Sequence, residues 1–127
     1  MKSSAASRAP LTIASAKLPE KVRRLLEAAI WDPATTSPKL REVLFLRAAG
    51  LSLEVDVREP PEQLRKYSDK VALWAYKVLD DEVEDLRMAG YSDDQIFEMT
   101  ICSALGAGAA RFESGLRALE EALKSED

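Results

Sequence analysis

The chain has 127 residues, 46% of them hydrophobic and 31% charged, with a net charge of −4, one cysteine and no histidine. That size and composition suit one soluble domain able to bury a core, and they exclude an intrachain disulfide framework, a Ser-His-Asp or Cys-His machine, and the commonest zinc ligand. The charge is uneven: residues 1–30 carry six basic and two acidic side chains, net +4, so the remaining 97 carry −8. An acidic body argues against nucleic acid as the partner, because phosphate binding needs a basic face.

The N-terminus, MKSSAASRAPLTIASAK, has no acid before Glu20. Transit peptides share that composition, but we read residues 1–18 as a flexible tail and residues 19–127 as the folded domain. LTIA is too short for the apolar core of a secretory signal. Residues 19–31 (PEKVRRLLEAAIW) predict the first helix, with Val22, Leu25, Leu26, Ala29 and Ile30 on one face. After the loop DPATTS, Ser37 is expected to cap a second helix that has Pro38 at its first position and stops at Gly50. Leu51, Leu53, Val55 and Val57 then alternate with polar residues, a strand period. A lone strand lacks a partner in a helical chain, so the segment is expected to be an extended linker, or a strand pairing across a subunit interface.

Pro60 and Pro61 open a third helix whose apolar stripe reads Leu64, Tyr67, Val71, Trp74, Val78. DDEVED, residues 80–85, puts five acids at the start of a fourth helix, where the positive end of the helix dipole favours them, and Gly90 ends it. Ser92 to Gln95 form a capping box at the head of the longest helix, about residues 93–123. Two apolar rows run along that helix: Ile96, Met99, Ser103, Gly106 and Ala110, then Leu105, Ala109, Phe112, Leu116, Leu119 and Leu123. No run of eighteen apolar residues predicts a membrane span.

The stretch CSALGAGAAR, residues 102–111, lies inside this last helix. It lacks the strand–turn–helix setting of a dinucleotide loop. Glycine in a helix costs about 1 kcal/mol against alanine, so the two glycines imply close approach of another helix to Gly106 and Ala110, from the same subunit or a neighbour. Cys102 reads as a small buried hydrophobe. The acid cluster reads as a solvated helix start; it has no EF-hand spacing, and we assign no metal and no cofactor. Tyr67, Trp74 and Tyr76 share one helix, as core packing or as the wall of a pocket.

Three segments carry a family resemblance: SPKLREVLFLRAAG, DDEVEDLRMAGYSDDQIFEMT and ICSALGAGAARFESGLRAL. Together they resemble the carboxymuconolactone decarboxylase / alkylhydroperoxidase D-like (AhpD-like) family over residues 37–119, most tellingly at Gly90–Ile96. The resemblance implies an all-α bundle of about five helices that assembles as a trimer or higher homo-oligomer. The family's peroxidase branch carries CxxCxxxH; the matching positions here hold Ala75, Val78 and Glu82. Dithiol chemistry needs two thiols in reach, so that activity is not carried over. The expectation is a cytoplasmic homo-oligomer that binds a small organic ligand or only itself, with no nucleic-acid or membrane partner. The alternative is an enzyme with a replaced acid/base site, using Glu82, Glu62 and Tyr67 on a small organic acid or hydroperoxide, with Trp74, Tyr76 and Cys102 as ligand contacts. A third possibility is an interaction module that works through the basic arm or the 51–57 segment.

Overall fold

In a computed structural model, which describes residues 18–53 and 61–125, five α-helices follow one another: α1 (Glu20–Trp31), α2 (Pro38–Leu53), α3 (Glu62–Trp74), α4 (Asp80–Met88) and α5 (Asp93–Ser125). A 3-10 turn, Ala75–Lys77, links α3 to α4. No strand occurs among the described residues. None of the helices searched is long and apolar enough to cross a membrane.

The starts follow local chemistry. The Ser37 hydroxyl accepts the Leu40 N–H at 3.1 Å, and Pro38 follows it in the first turn of α2. At the head of α5 the capping box is complete: Gln95 N–H donates to the Ser92 hydroxyl, and Ser92 N–H to the Gln95 side chain. Gly90 takes φ +107°, a left-handed conformation that glycine adopts without strain, and this lets the chain turn from α4 into α5.

Three expectations are corrected here. Gly50 does not stop α2, which runs on to Leu53. The period-two reading therefore fails at 51–53, where the helix continues, and the rest of that segment, 54–57, lies outside the described residues. Glycine lowers helix propensity by only about 1 kcal/mol, and Gly50 is buried with Ala48 and Ala49 on the face that packs into the bundle. The third helix is also shorter than its stripe. Trp74 has left helical geometry as the N-cap of the 3-10 turn (φ −142°, ψ 51°), and Val78 follows it in extended backbone. Leu64 and Val71 enter the core, whereas Trp74 is 50% exposed. As for the tail, residues 1–17 lie outside the described residues, but Leu18 is buried against Leu26, Ile30, Phe45 and Ala109.

The core is centred on α5, which packs most extensively on α2 and then on α3. One layer joins Leu26, Ile30, Phe45 and Ala109. The other joins Leu44, Leu64, Leu86, Ile96 and Met99. Between them the α2 and α5 backbones nearly touch: a Cβ built on Gly106 would lie 2.2 Å from the Phe45 carbonyl oxygen. That is the close approach the glycines implied, and it lies within one chain. Polar ties fix the rest. Arg47 clamps Asp69 bidentately at 2.6 and 2.7 Å, joining α2 to α3, and Arg111 donates to the Ala72 carbonyl at 2.6 Å, joining α5 to α3.

Candidate functional site

The expected site residues fall in four places. Tyr67 and Glu82 come together, lining a recess of about 360 Å³ between α3 and α4 with Gln63, Lys66, Asp85 and Leu86. Both are already engaged. Glu82, the third residue of α4, accepts the Leu79 N–H at 2.7 Å on one oxygen and Lys70 Nζ at 2.7 Å on the other. The lysine, then the backbone donor, hold its carboxyl below the usual range, giving it the character of a fixed anion. Thr100 donates its hydroxyl proton to the Ile96 carbonyl at 2.7 Å, so the Tyr67 phenol is the donor in its 2.8 Å bond to Thr100. Glu62 sits exposed in the first turn of α3 and does not line this recess.

Trp74, at the end of α3, and Tyr76, in the 3-10 turn that follows, line neither that recess nor the one at Cys102. Their rings meet edge to face at 6.3 Å, and Lys77 Nζ lies 5.0 Å from the Trp74 ring. Tyr76 is 78% exposed. The end of α3 and the turn after it therefore present an exposed aromatic pair.

Cys102 lines a second recess of about 240 Å³, between the end of α1, the loop after it and α5. Burial pushes its thiol up to about 11, against the opposing pull of Arg41. At neutral pH the group is a protonated thiol and a poor nucleophile. Its neighbours Arg41 and Glu98 were not singled out from the sequence. Arg41 is buried and donates to the Ala29 carbonyl at 2.9 Å and the Thr36 carbonyl at 3.2 Å, while its Nε meets no acceptor among the described residues. Glu98 accepts four bonds of 2.5–3.0 Å from the N–H and hydroxyl groups of Thr35 and Thr36. Burial opposes its ionisation, but those donors outweigh burial and hold the carboxyl down to about 2. Arg41 and Glu98 thus pin the 32–37 loop from two sides. A signal existed for Arg41: it stands at the head of the buried series 41, 44, 45, 48, 49, a helical core spacing.

The outer side of α5 forms an extended, mainly apolar surface. At about 100° per residue, Phe97, Ala104, Gly108, Gly115 and Ala122 fall within roughly 20° of the line directly opposite Gly106. Ile101, Phe112 and Leu119 flank that line. All of these residues are exposed, Phe97 by 65% and Leu119 by 55%. A Cβ on Gly108 or Gly115 would meet no atom of the described residues within 4 Å. Beyond Ala110 the helix inverts the usual pattern. Glu113, Arg117 and Glu121 continue the side that faces the core earlier in the helix, while the apolar residues continue the outer side.

Comparison with protein-family models, with curated proteins and with solved structures returns no match to this chain.

Proposed function

We propose that the protein is a homo-oligomeric helical scaffold whose subunits associate through the outer face of α5. Within this proposal the architecture is AhpD-like without thiol peroxidase chemistry, and its compartment is the cytoplasm. One observation carries the reading: from Phe97 to Leu123 the side of α5 opposite the core holds apolar and small side chains, interrupted by Arg111, which donates to the Ala72 carbonyl of α3. A solvated helix face is normally polar. An exposed apolar strip sustained over nearly four heptads is the pattern of a helix with a partner. Gly106 is accounted for inside the chain by the Phe45 backbone. Gly108 and Gly115 each cost about 1 kcal/mol of helix propensity, and among the described residues no contact compensates them. A second subunit lying close to the helix would.

A small organic ligand has a place in this scheme at the Cys102 recess, whose wall includes Phe97 and Ile101 of the same face. The enzymatic alternative rests on Tyr67 and Glu82 sharing a recess. Glu82 held as an anion by Lys70 suits an electrostatic anchor better than a proton donor.

The test is sedimentation velocity of the wild type beside Phe112→Glu and Leu119→Glu. Both side chains are exposed, so a monomeric fold tolerates the changes, and circular dichroism checks that it does. The proposal expects an oligomer that the charges dissociate. Wild type and variants that all sediment as single chains overturn it.

A further inference from the structure

We infer that the recess beside Cys102 binds a small neutral molecule: an apolar body about the size of one substituted aromatic ring, with an acceptor oxygen for Arg41 Nε. The inference rests on the small-ligand place given to this recess above and does not depend on self-association. Its first support is a buried donor left over. Arg41 is 2% exposed and forms part of the recess wall. Its terminal nitrogens donate to the Ala29 and Thr36 carbonyls, but Nε meets no acceptor among the described residues. An unmade bond on a buried charged group is costly, and such groups are uncommon in folded chains. Water is a poor remedy here. A buried water is held by roughly two to four polar partners, whereas Ala28, Pro33, Ala34, Phe97 and Ile101 make up much of this wall.

Charge and size choose the ligand class. Glu98 lies on the same wall, and its carboxylate already accepts four bonds from Thr35 and Thr36, which fill its lone pairs. It has no acceptor capacity left for an ammonium or hydroxyl group of a ligand, and as a fixed anion it repels a carboxylate. The exposed Asp32 carboxylate on the wall adds to that repulsion. A cation would have to sit against the Arg41 guanidinium. A neutral ligand remains, and the donor open to it is Nε, so its polar group is a carbonyl or ether oxygen. The recess measures about 240 Å³. A cavity of about 150 Å³ takes benzene, so this one has room for a ring and a short carbonyl substituent. Phe97 and Ile101 offer the ring apolar contact. The Cys102 thiol, kept protonated by burial, belongs to the same wall and serves as packing surface, not as a nucleophile.

The test titrates acetophenone, benzoate and toluene into the isotope-labelled full chain. Nuclear magnetic resonance follows the side-chain Nε–H signal of Arg41, identified by its loss in Arg41→Met, and the backbone amides from Phe97 to Cys102. Acetophenone is expected to shift both saturably, and to bind at least about tenfold more tightly than toluene, which has the ring but no oxygen. Benzoate should leave both unmoved. Ala34→Phe enlarges an exposed wall residue and fills the recess without removing any bond of Arg41, so there the acetophenone shift should be lost. Toluene binding as tightly as acetophenone overturns the role of Nε, and benzoate binding as tightly overturns the neutral class. No saturable shift with any of the three, or shifts unchanged in Ala34→Phe, overturns the site. Sedimentation of the same wild-type sample reads self-association separately, so that reading stands or falls on its own.

Discussion

Adding one methyl group at Gly106 is the sharpest perturbation the fold offers. Alanine in place of glycine inside a helix gains about 1 kcal/mol of helix propensity. At Gly106 the new Cβ would lie 2.2 Å from the Phe45 carbonyl oxygen, where ordinary contact begins at 3.4 Å, a shortfall of about 1.2 Å. Both atoms are held by helix backbone, so no side chain can swing away, and α2 and α5 must separate. Their contact is the most extensive in the molecule. Opening it by about 1 Å forfeits a quarter to a half of the dispersion energy of each atom pair it separates. Overpacking of this kind costs about 1–3 kcal/mol, at the upper end where backbone must move, which outweighs the propensity gain. Gly106→Ala should therefore unfold at lower urea, with a net loss of about 2 kcal/mol and a Tm lower by about 8 °C. The assay is urea denaturation followed by circular dichroism, with the m-value checked for change. A variant as stable as the wild type, or more so, would refute the close approach of the two backbones.

Three further outcomes follow from the second recess. Glu98 has a folded pKa of about 2 against 4.5 for the free group, so its contribution is fully present above pH 4.5 and is lost as pH falls towards 2. Glu98→Gln should cost about 1–2 kcal/mol at pH 6 after allowance for solvent screening, and the gap to wild type should close by pH 2–3; a gap independent of pH contradicts the clamp. Cys102, with its thiol near 11, has a thiolate fraction of about one in a thousand at pH 8. Ellman's reagent should react with it slowly in the native protein and rapidly in urea, and fast native labelling would show that the thiol is accessible. Arg41→Met removes the donors to the Ala29 and Thr36 carbonyls, which should cost about 2–3 kcal/mol in the same urea assay; a neutral result would mean that the 32–37 loop is held without it.

Much of the architecture was legible because local signals agreed with the tertiary solution. The Ser37–Pro38 start, the Ser92/Gln95 box and Gly90 each act within a few residues, and each works as its chemistry demands. Gly106 was legible for a related reason: a helix tolerates glycine at a cost, so its presence points to a neighbour. Gly50 shows the limit. The same residue type ends one helix and passes through another, and the difference lies in what packs against it. Trp74 misled because the stripe continued in sequence after the helix had turned, and an aromatic at a helix end can stand on the surface. Arg41 and Glu98 were not found because their partners lie on other elements, the Ala29 carbonyl of α1 and the backbone and hydroxyl groups of Thr35 and Thr36, up to 63 positions away in the chain, which spacing rules do not reach. The outer row of α5 was seen as apolar, but its exposure from Phe112 onward could only come from the structure, since a heptad pattern does not say which molecule fills it.

Native mass spectrometry of the wild-type protein, purified without added ligand, tests self-association most directly. The account predicts a multiple of the single-chain mass that falls to one chain in Phe112→Glu. A wild type that flies only as a single chain at micromolar concentration would contradict it, and the outer face of α5 would then need another occupant.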